Sequence, residues 1–106
     1  MAVVTLSTVP QPPLWRDVPS VTLDDDTLRQ RKAKVLAKML QRGLDTLIVY
    51  ADKEHGGNFE YLTGFIPRFE EALLVLHRDG EAVLVLGNEN LKLAGYARLE
   101  NRVIHA

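Results

Sequence analysis

The chain has 106 residues, a length that fits one domain with its own hydrophobic core and leaves no room for two. Hydrophobic residues make up 46% of it and charged residues 25%, which excludes disorder over most of the chain. The formal net charge of -1 gives no general attraction to nucleic acid, and the lack of cysteine excludes disulfides, thiolate zinc sites and a cysteine nucleophile.

Residues 1–23 form a proline-rich N-terminal arm. Four prolines fall between positions 10 and 19, and each one fixes its own φ and disfavours helix in the residue before it. We therefore expect an extended segment. Leu14 and Trp15 are its best candidates for docking, on the chain's own domain rather than on a partner.

A helix is predicted from about residue 24 to residue 42. Thr22 or Asp24 caps it, and the acidic residues that follow suit the positive end of a helix dipole. Gly43 follows at the usual position of a left-handed C-cap. The apolar stripe of this helix comprises Leu28, Val35, Leu36, Met39 and Leu40. A basic face, which we interpret as solvent-exposed, comprises Arg31, Lys34, Lys38 and Arg42.

A buried strand is predicted over residues 46–50, because this short run is apolar and β-branched. A polar loop follows over residues 52–58, the kind of segment that often carries function. Asn58 is expected to cap a short helical turn that ends at Gly64.

Two apolar runs, residues 72–76 and 82–86, predict an antiparallel hairpin because Asp79 and Gly80 between them favour a tight turn. Neither run alternates apolar with polar residues, so we expect the hairpin inside the sheet with both faces covered. A second helix is predicted over about residues 91–99, and a further strand starts at Arg102. This order indicates an α/β domain with a mixed β-sheet flanked by helices.

No self-sufficient active site emerges from the residues. His55, His77 and His105 are far apart and lack a second ligand at helical spacing, so we expect no metal site in this chain. Glu70 and Glu71 would point to opposite faces of a strand and could not share a proton. The two serines lie in the arm, and no phosphate-binding glycine loop is present.

The sequence offers no membrane or targeting segment. No apolar run approaches the ~20 residues that span a bilayer, and the N-terminus lacks the basic start of a signal peptide. We expect a cytoplasmic protein with no nucleic-acid or membrane partner.

One pattern extends the interpretation further. The run Asn58-Phe59-Glu60-Tyr61-Leu62-Thr63-Gly64-Phe65, after a strand that ends in Tyr50 and before the hairpin, resembles the creatinase/prolidase N-terminal domain. That domain precedes the "pita-bread" catalytic domain of Xaa-Pro aminopeptidases, prolidases and creatinases. The resemblance covers about residues 24–106 and implies a mixed-sheet α/β fold related to ribonuclease H.

The resemblance also implies a function. The chain would be the non-catalytic N-terminal domain of a Xaa-Pro aminopeptidase or prolidase, supporting homo-oligomerisation and restricting access of peptide substrates. Its partner would be the C-terminal catalytic domain of the same protein, which in the peptidase branch holds two divalent metals, Mn, Co or Zn. None of those ligands maps onto this chain, so we expect no activity from it alone. Because the last predicted strand stops at Ala106, we expect the domain to be truncated.

Two sets of residues follow from the motif. Thr63, Gly64 and Phe65 match it as structural residues: the threonine bonds backbone nearby and the glycine permits a tight turn. The substrate-access candidates, which would otherwise serve only solubility and capping, are His55, Asn58, Glu60, Tyr61 and Arg68.

Two alternatives remain open at this point. The parent could be a creatinase-like hydrolase that works without metal, or the chain could be a free-standing α/β interaction module. The reading frame after Ala106 would separate these possibilities. A further domain with dispersed Asp, His and Glu ligands would support the metallopeptidase, and such a domain with only a catalytic His would support the creatinase-like hydrolase. A stop codon would support the free-standing module.

Overall fold

A computed structural model describes residues 1–14 and 16–106. Its elements follow the predicted order. In chain order they are α1 (Asp25–Gln41), β1 (Thr46–Ala51), α2 (Gly57–Thr63), β2 (Ala72–His77), β3 (Ala82–Leu86), a 3₁₀ helix (Leu91–Tyr96) and β4 (Arg102–His105).

The four strands form one mixed sheet in the order β1-β2-β3-β4. The β1–β2 and β2–β3 pairs are antiparallel, and β3–β4 is parallel. The predicted hairpin therefore lies inside the sheet, with β1 and β4 at the two edges. These features confirm the α/β class and the mixed sheet.

The start of α1 shows why this stretch is helical. The Asp24 carboxylate accepts the Thr27 backbone N–H at 2.7 Å, which satisfies one amide that the first turn leaves unpaired. The Thr27 side chain and then this backbone N–H hold the pKa of Asp24 below its ordinary value. Leu28 and Met39 are buried, as expected, but Leu40 is 67% exposed and its place in the apolar stripe was wrong.

The core lies against one face of the sheet. This helix-covered face presents Ala51, Ala72, Leu74, Leu76, Leu84 and Leu86, all at most 2% exposed. The same cluster includes Phe59 and Leu62 of α2, Met39 of α1, and Phe65, which follows α2. Burial of this apolar surface is the main source of stability for a chain of this size.

The other face of the sheet is only partly covered by the described residues. This open face consists of Ile48, Tyr50, Leu73, Val75, Val83, Val85 and Ile104. Ile48 is 62% exposed, whereas Val83 in the middle of the sheet is buried. The expectation that both faces of the hairpin are covered is therefore not met within residues 1–14 and 16–106.

Two further expectations were wrong or lie out of reach. The segment predicted as a helix over 91–99 is a 3₁₀ helix that ends at Tyr96. In the arm, Leu14 is 57% exposed rather than docked, and Trp15 lies outside the described residues. Within the part of the chain that the structure describes, no helix has the length and apolar character to cross a bilayer.

Candidate functional site

Aromatic packing on its buried side holds the short helix α2 in place. Phe59 is fully buried, and its ring meets that of Phe65 edge to face, with centroids 5.2 Å apart. Edge-to-face pairs of this kind add to the stabilisation from burial. The anchoring fixes the position of the side chains on the opposite, exposed side of α2.

Buried polar bonds close the end of α2. The Thr63 hydroxyl donates to the Phe59 carbonyl at 2.8 Å and lies within hydrogen-bond distance of both backbone groups of Phe65. Gly64 has φ +86°, a left-handed conformation that favours glycine, and its N–H donates to the Glu60 carbonyl. The chain therefore turns sharply at the position where the sequence places Thr-Gly.

Arg98 ties this turn to α1. Its backbone N–H donates to the Thr63 carbonyl at 2.8 Å, and its guanidinium bonds the Asp25 carboxylate at 2.7 Å. A β-carbon at Gly64 would lie 3.3 Å from the Arg98 side chain. The end of α2 is thus connected to the beginning of α1 through one arginine.

The loop after β1 is wound around the Asp52 carboxylate. That carboxylate accepts backbone N–H groups of Glu54 and His55, at 2.9 and 2.6 Å, and also contacts His55 Nδ1 at 3.0 Å. The Tyr50 hydroxyl donates to its second oxygen at 3.2 Å. A carboxylate opposite Nδ1 favours a proton on that nitrogen, which leaves His55 Nε2 as the acceptor on a side chain that is 76% exposed.

These contacts shift two pKa values in opposite senses. The bond from His55, followed by the loop amides, holds the pKa of Asp52 below its ordinary value. Partial desolvation and then the Asp52 carboxylate raise the pKa of the Tyr50 hydroxyl. Asp52 is therefore a carboxylate at neutral pH and acts as the acceptor that orders this loop.

The start of α2 differs from the prediction. The N-cap is Gly56, with no side-chain cap, and Asn58 is an exposed residue one position inside the helix. The predicted capping role of Asn58 was therefore wrong. A β-carbon at Gly56 would lie 3.0 Å from the Asp52 carbonyl and 3.3 Å from Ile66, so the close approach of the loop favours glycine here.

Tyr61 holds an arginine of α1 on the exposed side of α2. The Arg31 guanidinium lies 4.4 Å from the Tyr61 ring centroid and donates to the Tyr61 carbonyl at 3.2 Å. A cation above an aromatic ring is an attractive arrangement. Together with Glu60 and Arg98, these residues line a groove of about 500 Å³ between α1, α2 and the end of the N-terminal arm at residues 21–23.

Tyr61 also borders a second groove, along the edge of β1. This edge groove of about 410 Å³ is lined by Val35, Leu47, Ile48, Val49, Tyr50, Asn58, Tyr61 and Leu62. Its lining is mostly apolar, and the residues in it that carry polar groups are Tyr50, Asn58 and Tyr61. The exposed side of α2 therefore faces two different grooves.

Arg68 belongs to a separate segment, which a buried asparagine fixes. Asn90 is fully buried; its Oδ1 accepts the Arg68 backbone N–H at 2.7 Å and its Nδ2 donates to the Glu70 carbonyl at 3.3 Å. Between these two residues, Phe69 has φ +62° and is 81% exposed. A non-glycine residue in this region is strained, and an exposed aromatic ring there has little packing to offset the strain.

The predicted access residues thus lie on α2 and on the segments beside it, and they do not converge on one reaction centre. Glu60 and Tyr61 share a groove, Asn58 and Tyr61 share the other, and His55 is oriented by Asp52. Arg68 is presented by the Asn90 clamp. The structural roles of Asp52, Asn90 and Phe69 were not predicted. Only Asp52 had a recognisable signal in the sequence, because an aspartate side chain in a loop often accepts the backbone N–H two residues further on, as in an Asx turn.

The described residues do not fit a metal centre. Across residues 1–14 and 16–106, no group of three or more His, Asp or Glu side chains is placed to hold an ion. Asp52 and His55 contact each other, but a pair of this kind falls short of the ligand sets that structural or catalytic sites use.

Several solved structures are similar to this chain in fold. A Xaa-Pro aminopeptidase from Streptococcus pyogenes is similar with 26% identity and a TM-score of 0.64, over 78% of this chain and 59% of that one. The Creatinase/Prolidase N-terminal domain of an X-Pro dipeptidase from the same organism is 21% identical with a TM-score of 0.57, over 74% and 56%. Dipeptidase PepE from Mycobacterium ulcerans is 21% identical with a TM-score of 0.63, over 78% and 23%.

The chain therefore spans less than two thirds of each of these solved structures. Among curated proteins, none matches it in sequence. The family model described as "Creatinase/Prolidase N-terminal domain" matches residues 31–101, which is more than half of the chain. The α/β fold, the Tyr-Leu-Thr-Gly-Phe turn and this match agree, and the chain belongs to the creatinase/prolidase N-terminal domain family.

Proposed function

We propose that the chain is the non-catalytic N-terminal domain of a Xaa-Pro-type metallopeptidase, where it restricts peptide access to a catalytic domain and supports homo-oligomerisation. The peptide specificity is supported by its 26% identical solved neighbour, which is an aminopeptidase of this type. Two divalent metals, Mn, Co or Zn, would belong to the catalytic domain. The described residues hold no group of His, Asp or Glu placed to bind a metal ion, which fits a chemical step in the catalytic domain.

The arrangement around α2 carries the access role. Buried Phe59, Thr63 and Asn90 fix α2 and the adjoining loops from below, whereas the access residues face solvent. A rigid scaffold with exposed polar and aromatic side chains on its loops is the usual way in which proteins position binding groups. His55 with its oriented ring, Arg68 and Phe69 would line the entrance to a neighbouring cleft.

The isolated chain provides the first test. We expect no hydrolysis of X-Pro peptides by it, with or without Mn²⁺, because the residues that the structure describes form no metal centre. Turnover that purifies with the chain and rises in proportion to its concentration would contradict the proposal.

The parent enzyme provides the second test. Arg68→Ala should change KM for longer X-Pro peptides by roughly fivefold while kcat for the shortest substrate is unchanged, as expected for a residue that contacts only the distal part of a peptide. Arg102→Ala, an exposed arginine on β4, is the matched control and should change neither. Equal effects on short and long substrates would refute the access role.

The creatinase-like alternative makes a different prediction. A metal-independent parent would keep its activity in a chelator, whereas a metallopeptidase would lose it and regain it with Mn²⁺. A reading frame that stops directly after Ala106 would instead favour the free-standing module.

A further inference from the structure

The edge strand β1 lacks the features that normally protect a sheet edge. Its six residues carry no charge and no proline, and all six pair with β2 in unbroken register, without a bulge. Natural proteins usually protect such edges with charges, prolines, bulges or a short strand. The opposite edge has them: β4 has only four residues, and they include Arg102 and His105.

The backbone of β1 is oriented to accept another strand. The Arg78 N–H donates to the Asp45 carbonyl at 2.9 Å, so these two form a hydrogen-bonded antiparallel pair one position before β1. Such pairs alternate along a ladder, so residues 47, 49 and 51 bond to β2. Thr46, Ile48 and Tyr50 therefore direct their N–H and C=O groups away from the sheet.

Apolar side chains flank this edge on both sides. On the open face, Ile48 is 62% exposed and Tyr50 is 50% exposed. On the helix-covered side, Val35, Leu47 and Leu62 line the edge groove of about 410 Å³, which also reaches Ile48 and Tyr50. An added strand would satisfy the edge backbone and bury apolar surface on both faces.

We propose that β1 pairs with β1 of a second copy of this chain, antiparallel about a two-fold axis at Ile48, so that the two sheets become one. This inference rests on the homo-oligomer part of the proposed function and names the surface involved. A two-fold axis perpendicular to the sheet makes Ile48 face its own copy and Thr46 face Tyr50 of the second copy. This register provides a partner for each of the three outward-directed residues.

Charge at the two ends of β1 suits a second copy better than an unrelated strand. The end near Thr46 is basic, with Lys38, Arg42 and Arg78 against Asp45. The end near Ala51 is acidic, with Asp52, Glu54 and Glu71 against Lys53. Antiparallel self-pairing places the basic end of one copy beside the acidic end of the other, which favours this partner and this orientation.

Disulfide trapping tests the pairing directly, because the chain has no cysteine of its own. Directly opposed residues of a hydrogen-bonded pair have Cα atoms about 5.5 Å apart, within the range that a disulfide bridges. Ile48→Cys should therefore form a covalent dimer under mild oxidation roughly ten times faster than Tyr96→Cys, since pairing raises the effective thiol concentration. Tyr96 is a suitable control because it is 69% exposed on the 3₁₀ helix.

The register has its own test. Thr46→Cys alone should not dimerise quickly, because its copy lies four residues away along the strand, about 13 Å. A mixture of Thr46→Cys and Tyr50→Cys should cross-link as fast as Ile48→Cys. Rapid cross-linking of Ile104→Cys would instead indicate that the open faces of two copies pack together. Faster cross-linking of Ile48→Cys with Val4→Cys than with itself would indicate that the N-terminal arm pairs with β1. Either result overturns the proposal.

Sedimentation of the untreated protein completes the experiment. The wild-type chain and Tyr96→Lys should form dimers with rising concentration, whereas Ile48→Lys should remain monomeric with an unchanged circular dichroism spectrum. A monomeric wild type, or a dimeric Ile48→Lys, refutes the pairing. The proposed control of substrate access is tested by the Arg68→Ala kinetics in the parent enzyme. The outcome of that test does not depend on whether β1 pairs with a second copy.

Discussion

The two faces of the sheet use the same strands but differ in what covers them. Adjacent leucines of β2 show the contrast: Leu74 faces the helices and is fully buried, whereas Leu73 lies on the open face and is half-buried. Both faces of the strand carry large apolar residues, although the open face also includes His77. Burial is therefore decided by the helices that pack on a face and not by the composition of the strand.

Alanine at these two positions should produce the largest difference in stability. Leu74→Ala should lower the free energy of unfolding by about 3 kcal/mol, because it leaves a cavity in a packed core. Leu73→Ala should lower it by about 1 kcal/mol, since its side chain retains contact with water. Urea denaturation at low protein concentration measures both, and equal losses would show that the open face is covered in solution.

The buried hydroxyl of Thr63 tests the covered side at the end of α2. Thr63→Val keeps the shape but removes the donor to the Phe59 carbonyl, and we expect a loss of about 1.5 kcal/mol. Thr8→Val in the exposed N-terminal arm is the control and should stay within about 0.5 kcal/mol of the wild type. If the two variants are equally stable, the Thr63 bonds do not hold the turn.

The strained residue on the exposed side should respond in the opposite direction. Phe69→Gly relieves the cost of φ +62° and should raise the free energy of unfolding by about 0.5 to 1 kcal/mol. Phe69→Ala removes the same ring but keeps the strain, so it should give no such gain. A gain in both variants would place the benefit in the loss of the exposed ring.

The smallest effect concerns the Asp52 loop and depends on pH. Because the pKa of Asp52 is lower in the folded chain than in the unfolded one, its contribution is present above the unfolded pKa of about 3.9 and is lost as the pH falls through the folded pKa. Asp52→Asn should thus be less stable than the wild type at pH 7, and this difference should shrink as the pH falls below about 4.

Unfolding curves from pH 7 downward measure that difference. Glu54→Gln neutralises the neighbouring carboxylate but keeps the Asp52 bonds, so it should follow the wild type at each pH. A constant difference between Asp52→Asn and the wild type at all pH values would show that the carboxylate charge is not what orders the loop.

Local patterns predicted most of the fold. Asp24 before α1, the apolar run of β1 and the Asp79-Gly80 turn are all short-range features, and each forms its element where expected. The predicted burial of β1 was wrong, because β1 is an edge strand and Ile48 is 62% exposed. Leu40 failed because it lies about 100° around the helix from the buried Met39, and this direction points away from the core, so that Leu40 is 67% exposed. The 91–99 segment failed because Gly95 in its middle weakens an α-helix, and the helical part that forms is a 3₁₀ helix that ends at Tyr96.

The candidate site was less predictable because its geometry depends on distant residues. Thr63 and Gly64 could be anticipated, since their bonds are local to α2. Asn90 could not, because it contacts Arg68 across 22 positions of the chain. Nothing in the sequence around Phe69 indicates a positive φ, which only the surrounding contacts impose.

The Asn90 clamp has a consequence for how the surface moves. One buried amide holds the backbone on both sides of Phe69, so the Arg68 amide proton can exchange with solvent only when the segment before β2 separates from the chain at Asn90. The exchange rate of that single proton therefore reports how often this part of the surface opens. A ligand that rests on Arg68 and Phe69 would slow it without touching Asn90.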